Sequence, residues 1–319
     1  MEYSSAVVTG GAGFIGSHLV ERLVKGGVET YSFDNYLAGK KENLVHLKDY
    51  ANFHDIEGDV TDAEALEEVF SQGIDVVFHN AASKKTICLR DPRRDLEINA
   101  GGAFNILELA TKYKVKKVVL ASTGSVYGEA EYYPQDEGHP LNPTSYYGVS
   151  KLAGERYGLV FHKLHDLNVT VLRYFHVYGP RQEYSDVGGV VSIFARRLFH
   201  GDPLIIFGDG TQQRSFTYVG DVVRANLLVA QDDRTAGEVY NCASGIRVTI
   251  YELASVLKEM FNRGDTPIIY QDWQPGDIKI FDVDNSKLCG LGFKFKTDFK
   301  SGLAKTVSWV KQYFSENSG

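Results

Sequence analysis

The sequence predicts a doubly wound parallel α/β sheet accompanied by a smaller, interleaved C-terminal lobe. Three observations carry that expectation. Short apolar runs recur between stretches of helical periodicity; a glycine-spaced turn, Gly10-x-x-Gly13-x-x-Gly16, separates the first run from the first helical stretch; and an acidic residue, Asp34, ends the second run. Continuous apolar strands alternating with amphipathic helices indicate a parallel sheet covered on both faces.

Taken in order, Ala6-Val7-Val8 reads as the first strand, and Ser17 to Lys25, with Leu19, Leu23 and Val24 at helical spacing, as the first helix. Thr30 to Asp34, Phe53 to Ile56, Asp75 to Phe78, Lys117 to Ala121 and Val169 to Leu172 read as the next five strands. Asp62 to Phe70 places Leu66, Val69 and Phe70 on one side of a helix, and Ile98 to Tyr113 does the same with Phe104, Leu107 and Ala110. After residue 174 glycine and proline punctuate the chain, as in Tyr178-Gly179-Pro180 and Gly208-Asp209-Gly210, which predicts a second lobe of loops and short elements. Asp221 to Val229 and Glu238 to Asn241 resemble a helix and strand returning to the sheet. The expected division is 1–174 with 218–243 for the sheet domain, and 175–217 with 244–319 for the second lobe.

Composition narrows the classes of function. The 319 residues carry 34 Lys+Arg against 41 Asp+Glu, a formal net charge of −7, and 43% are hydrophobic. That balance excludes disordered and fibrous chains. It offers no continuous basic surface for a phosphate backbone, so no nucleic-acid partner is expected. Cys88, Cys242 and Cys289 lie far apart and form no C-x-x-C pair, which suits a reducing compartment. Met1-Glu2-Tyr3-Ser4 lacks the basic segment and apolar core of a signal peptide, and no apolar run approaches the ~18 residues of a membrane span. A cytoplasmic protein without membrane contact is the expectation.

The glycine turn has a specific chemistry when it joins a strand to a helix. Gly10 permits the tight turn, Gly13 lets backbone approach a pyrophosphate, and Gly16 lets helix and strand pack closely, while the helix N-terminus favours the anion. Asp34, roughly 20 residues on, can accept hydrogen bonds from an adenosine ribose and would repel a 2′-phosphate. NAD is therefore favoured over NADP, although Lys40 and Lys41 are cations that could meet such a phosphate.

A second constellation is Tyr147-Gly148-Val149-Ser150-Lys151, after a helix entry at Asn142-Pro143-Thr144-Ser145. Residues four apart share a helix face, and an ammonium beside a phenol can lower its pKa by roughly 1 to 3 units, making a proton acceptor. Tyr113 and Lys117 have the same spacing, but at the end of a helix they are expected to be a solvated surface pair. The hydroxyl cluster Ser122-Thr123-Gly124-Ser125 closes the fifth strand, where strand C-termini line the ligand crevice of such sheets. His162 and His165 are three apart, and without a third ligand in view they are expected to be surface residues.

With these motifs the chain resembles the extended short-chain dehydrogenases/reductases, specifically the nucleotide-sugar epimerase/dehydratase family with its NAD-binding Rossmann fold, and within it the UDP-glucose (UDP-galactose) 4-epimerases. The resemblance runs from Thr9-Gly10-Gly11-Ala12-Gly13-Phe14-Ile15-Gly16 through Gly58-Asp59-Val60, His79-Asn80-Ala81-Ala82, the hydroxyl cluster, Tyr147 to Lys151, and Leu172 to Arg181. It continues through Phe207-Gly208-Asp209-Gly210 with Gln212 and Arg214, to Pro275-Gly276-Asp277.

The resemblance implies roles residue by residue. Tyr147 removes a proton from a sugar hydroxyl while NAD takes hydride, Lys151 holds the nicotinamide ribose, and Thr123 hydrogen-bonds the hydroxyl. Gly10, Gly13, Phe14, Ile15 and Gly16 hold the cofactor's phosphates, Asp34 and Asn35 its ribose, Asp59 and Val60 its adenine. Ala81, Ala82 and Lys84 form a cofactor wall, to which Tyr174 belongs, and Asn99 supports it from behind. Substrate contacts fall on Lys84, Thr123, Ser125, Tyr147, His176, Val190, Phe207, Gln212, Arg214, Asp277 and Phe281, with Arg214 at the pyrophosphate and Phe281 gating the sugar. The implied substrate is a nucleotide-diphosphate sugar, a UDP-hexose, and the implied assembly is a homodimer formed by the helices of Ile98 to Tyr113 and Tyr147 to His165.

Two departures stand out. The family usually has Asn at His176 and Arg at Gln274, and a histidine restores the lost charge only if protonated. Dehydratases and decarboxylases of the family carry an acidic side chain just after the Thr123 position, where this chain has Gly124 and Ser125. Epimerisation is thus expected ahead of dehydration or decarboxylation. A non-catalytic NAD-binding regulator would be expected to have lost Thr123, Tyr147 or Lys151, and all three are present.

Overall fold

The computed structural model describes residues 3–83, 85–185, 188–273 and 278–316, with the side chains of 85–87 outside that description. The chain forms two compact units. One comprises Met1–Gly128, Leu141–Tyr174 and Val223–Tyr240; the other comprises Glu129–Pro140, Phe175–Val222 and Asn241–Gly319.

The elements begin with β1 (Ser5–Thr9), α1 (Phe14–Val24), β2 (Glu29–Asp34), β3 (Phe53–Glu57), α2 (Ala63–Phe70) and β4 (Val76–His79). Then come α3 (Lys85–Arg90), α4 (Pro92–Leu96), α5 (Gly102–Lys112), β5 (Lys117–Thr123), α6 (Tyr146–His165) and β6 (Val169–Tyr174). A π-helical stretch, Glu97–Gly101, joins α4 to α5. After these follow β7 (Val177–Tyr178), α7 (Val190–His200), β8 (Leu204–Phe207), β9 (Gln213–Ser215), β10 (Thr217–Tyr218) and α8 (Val219–Ala230). The chain continues through β11 (Glu238–Cys242), β12 (Arg247–Thr249), α9 (Ile250–Met260), β13 (Ile268–Gln271), α10 (Ser286–Gly290) and α11 (Phe299–Glu316).

The main sheet has the order β11-β6-β5-β4-β1-β2-β3, and β1 to β6 pair in parallel. Val7, Val8, Val76, Val77, Val118, Val169 and Val171 are fully buried, because both faces of the sheet are covered. On one face Leu66, Val69 and Phe70 of α2 and Ile106, Leu107 and Ala110 of α5 join Val7, Val77, Val118, Val169 and Val171 in one core. Strand order reverses between β1 and β4, and in open parallel sheets that switch point opens a ligand crevice beyond the strand C-termini. Both Gly10 and Ala81 lie just beyond those two ends.

Two expectations in this unit are corrected. Phe104 does not share the buried face of α5; it is 38% exposed and packs edge-to-face on Tyr157 and Phe161 of α6. Lys117 is not a solvated partner of Tyr113. It is 1% exposed, donates to Asn168 Oδ1 at 2.7 Å and Thr235 Oγ1 at 2.8 Å, and burial pushes its pKa down to about 8. Tyr113 instead donates to Glu67 at 2.7 Å.

The second unit is more helical than its glycines and prolines suggest. Helices α7, α9 and α11 pack Phe194, Leu198, Leu253, Leu257, Leu303 and Val310 into a core of their own. The α9 start has a capping box: Glu252 N–H donates to Thr249 Oγ1 at 3.0 Å and Thr249 N–H to Glu252 Oε2 at 2.8 Å. Its sheets are small pairs, β8 with β13, β9 with β12, and β7 with β10. Residues 129–140, expected with the first lobe, belong to this unit, where Gln135 bridges to Val283. Among the described residues no helix is long and apolar enough to cross a membrane.

Candidate functional site

The glycine turn adopts the backbone its spacing requires. Gly10 has φ +67°, and a Cβ there would lie 2.8 Å from the Ala81 nitrogen. At Gly16 a Cβ would lie 2.0 Å from the Gly10 carbonyl oxygen, so α1 can begin against the turn only with glycine in place. Gly13 is the N-cap of α1 and supplies no side-chain cap, which leaves the first helical N–H groups facing outward. Those N–H groups open on a cleft of about 260 Å³ whose walls include Gly10, Gly13, Phe14, Ile15 and Gly16.

Asp34 lies in the same cleft at the end of β2. Its carboxylate accepts from Ala12 N–H at 3.0 Å and Tyr36 N–H at 2.8 Å, while burial raises its pKa against those bonds. Asn35 donates to Asp59 at 2.7 Å, and Asp59 also receives Arg94 at 2.5 Å. Burial would raise the Asp59 pKa, but Thr61, Asn35 and Arg94 together hold it below the usual range. Arg94 is a site-wall partner that the sequence reading does not anticipate. Of the two cations near Asp34, Lys41 pairs with Glu57 at 3.0 Å and lies over the Tyr36 ring.

Val60, Ala81, Ala82, Tyr147, Lys151 and Tyr174 complete the expected cofactor wall in this cleft. Tyr174 donates to Asn226 Oδ1 at 2.9 Å. Asn99 is not on the wall. It is buried behind it, on the π-helical stretch, and donates to Ser150 Oγ at 2.9 Å.

At the reactive end, Ser145 caps α6 by accepting from Gly148 N–H at 3.1 Å, so Tyr147 and Lys151 fall on the first turns of a regular helix. Thr123, the last residue of β5, accepts from Ser125 N–H at 3.1 Å and hydrogen-bonds the Tyr147 hydroxyl. The expected lowering of the tyrosine pKa is not found. Burial pushes Tyr147 up to about 12, with Asp95 adding to the rise and Thr123 opposing it. Burial likewise pushes Lys151 down to about 8, against the pull of Asp95 and Glu155. Desolvation is the largest cause of both shifts.

Behind this end lies a buried ion pair. Arg173 donates through Nε to Glu155 at 3.0 Å and through Nη1 to Tyr127 at 2.7 Å, and Ser122 donates to Glu155 at 2.9 Å. Glu155 is thus held in this pair, and Gly124 and Ser125, which follow Thr123, supply no acid.

In the second unit the expected substrate residues form one cluster and two outliers. Arg214 lies 5.4 Å from the Phe281 ring centre, and His176 packs on the same ring at 4.6 Å. Burial and the Arg214 charge push His176 down to about 3, so it stays neutral and does not replace a missing cation. Gln212 donates to Phe207 carbonyl at 2.7 Å, while its Oε1 is buried without a hydrogen-bond partner among the described residues. Phe207 edges an open cavity with Tyr270, Gln271 and Asp272. Val190 begins α7 and is partly buried against the second core. Lys84, Gln274 and Asp277 lie outside the described residues.

The cleft in the first unit fits a dinucleotide: a glycine cradle that any Cβ would fill, outward N–H groups at a helix start, and a carboxylate at the end of β2. Comparison with known proteins agrees. The model of the NAD dependent epimerase/dehydratase family matches residues 6–243. The solved structure of a UDP-glucose 4-epimerase from Thermotoga maritima, with UDP-glucose, is 38% identical, covers 97% of this chain and 99% of its own, and has a TM-score of 0.92. A UDP-glucose 4-epimerase of Mycolicibacterium smegmatis is 34% identical over 96% of this chain and 98% of its own length. A UDP-glucuronic acid decarboxylase of Arabidopsis thaliana is 35% identical over 95% of this chain and 68% of its own. The chain belongs to the NAD-dependent epimerase/dehydratase family, as an enzyme of its epimerase class.

Proposed function

We propose that this enzyme is a UDP-hexose 4-epimerase interconverting UDP-glucose and UDP-galactose. The observation that carries the reading is the reactive end itself: Thr123, Tyr147 and Lys151 are assembled there, and the two residues that follow Thr123, Gly124 and Ser125, supply no acid to drive an elimination or decarboxylation. The similarity to UDP-glucose 4-epimerases over nearly the whole chain supports the same choice.

The chemistry that bound NAD supplies is reversible uptake of hydride from sugar carbon 4. Gly10, Gly13, Gly16 and the α1 N–H groups would hold its pyrophosphate, Asp34 and Asn35 its adenosine ribose, and Lys151 its second ribose. Lys151, with the positive charge of oxidised NAD, would offset the desolvation that raises the Tyr147 pKa. Tyr147 then takes the proton of the 4-hydroxyl, and Thr123, already hydrogen-bonded to Tyr147, orients that hydroxyl and passes the proton. Lys151 stabilises the phenolate. The resulting 4-keto sugar turns over, and Tyr147 returns the proton as the opposite epimer forms.

In the second unit Arg214 would bind the diphosphate through its planar fork, with the neutral His176 as a hydrogen-bonding neighbour. Gln212 and Phe207 would meet the base. Phe281 restricts the sugar pocket and disfavours N-acetylated sugars. A homodimer formed through α5 and α6 is part of the proposal, supported by the exposed Phe104, Tyr157 and Val160 on those helices; sedimentation velocity tests it.

The experiment is a screen of UDP-galactose, UDP-N-acetylgalactosamine and UDP-glucuronic acid by proton NMR. Conversion of UDP-galactose to UDP-glucose is expected, with slower turnover of the N-acetylated sugar. A keto-deoxy or pentose product would refute the proposal.

A further inference from the structure

One buried carboxylate of the first unit has no task in the mechanism above. Asp95, on α4, is 1% exposed. Its Oδ2 accepts from the Ser150 hydroxyl at 2.6 Å, and its Oδ1 from Asn99 Nδ2 at 3.0 Å and from the Ser83 hydroxyl. The direction of the Asn99 bond is fixed, because Asn99 Oδ1 is occupied by Ser83 N–H at 3.0 Å and so turns its Nδ2 toward Asp95. Asn99 donates and both serine hydroxyls can donate, a set that suits an ionised carboxylate. None of the ion pairs among the described residues includes Asp95.

Position makes that charge relevant. Ser150 stands between Tyr147 and Lys151 on α6, and its hydroxyl also lies 3.1 Å from the Tyr147 carbonyl oxygen. The π-helical stretch bearing Asn99 presses on the same helix, since a Cβ on Gly154 would lie 2.9 Å from the Asn99 carbonyl oxygen. The charged and titratable groups facing the pair can be named from each element. Asp95 on α4 and Glu155 on α6 act on Lys151; Asp95, Cys88 on α3 and Thr123 on β5 act on Tyr147; His79 on β4 senses Lys151. Glu155 is neutralised by Arg173, and burial followed by the Lys151 charge holds His79 neutral, down to about 3.

We propose that Asp95 is a positioning residue for the Tyr147–Lys151 pair: through Ser150 it fixes the turn of α6 that carries both, and it sets a negative charge behind them. The inference rests on the assignment of Tyr147 and Lys151 under the proposed function. It assigns to this carboxylate control of the pH window in which that pair works.

The sign follows from the charges. A nearby anion raises the pKa of both groups, so its removal lowers both. Asp95→Asn removes the charge and keeps the shape, and its amide can donate to Ser150 Oγ while Ser150 donates to the Tyr147 carbonyl. The test is carried out on the NAD-loaded enzyme. The Lys151 side-chain ¹⁵N resonance, assigned with Lys151→Arg, is titrated in both proteins, and the pH dependence of turnover is measured beside it. In Asp95→Asn the Lys151 titration is expected to move about one pH unit lower, with the whole pH–rate window following it toward acid. An unmoved Lys151 titration overturns the proposal, as does a uniform loss of rate with the window unchanged, the mark of a purely structural role. The NMR titrations do not depend on which sugar is turned over. Failure of the substrate reading and failure of this inference are therefore separately visible.

Discussion

Gly16 stands so close to Gly10 that a Cβ on the first would lie 2.0 Å from the carbonyl oxygen of the second. Neither partner can yield, because the oxygen belongs to a turn whose own φ of +67° is already that of glycine. Gly16→Ala is expected to cost about 1–3 kcal/mol of stability through overpacking and to displace the start of α1. Purified variant should carry markedly less NAD than the parent, measured by release on denaturation and absorbance. Full occupancy with unchanged thermal stability would contradict the close approach.

Tyr147→Phe removes one oxygen from a helix whose cap is Ser145, so its fold should be unchanged. Loss of proton transfer is expected to lower kcat about 10²- to 10⁴-fold. Steady-state kinetics with UDP-galactose checks this, with circular dichroism as the control; near-parental kcat would remove Tyr147 from the chemistry.

Glu155 and Arg173 are almost wholly buried, with side-chain exposures of 0% and 2%. Arg173→Met leaves an uncompensated charge and is expected to cost about 3–5 kcal/mol, whereas pairing it with Glu155→Leu should recover much of that loss. Urea unfolding of the single and double variants tests the pair. Equal stability of both would show that the charge is not isolated by burial.

His79 is 1% exposed, and burial, then the Lys151 charge, pushes its pKa from 6.5 down to about 3. Between those values the unfolded chain binds a proton that the folded protein refuses. Stability from this group is complete above pH 6.5 and is lost as pH falls toward 3, by about 1.4 kcal/mol per pH unit. His79→Asn, measured by unfolding at several pH values, should flatten that slope. An unchanged slope would mean that His79 is protonated in the folded state.

What could be read from the sequence was what depends on neighbours in the chain. Gly10, Gly13 and Gly16, Asp34 at the end of β2, and the Ser145 cap before Tyr147 and Lys151 all act locally, and the structure has each where its spacing predicts. Burial of polar groups did not follow from spacing. Lys117 has the same separation from Tyr113 as Lys151 from Tyr147, and only its packing against Asn168 and Thr235 distinguishes them. The Tyr147 pKa departs from the expectation for the same reason, since a four-residue spacing reports attraction but not desolvation. Arg94 and Asp95 carried a faint signal: Asp91-Pro92 marks a helix start, with Asp91 accepting from Arg94 N–H at 3.0 Å, and Asp95 lies four residues before Asn99. The helices α7 and α9 were hidden by the glycines and prolines between them, although Thr249 and Glu252 spell a capping box.

The central claim is a hydride removed from carbon 4 and returned to its other face within one site. UDP-galactose labelled with deuterium at carbon 4 tests it most directly, followed by NMR in ordinary water. The account predicts UDP-glucose that keeps the deuterium at carbon 4; a product without that label, or no UDP-glucose at all, would contradict it.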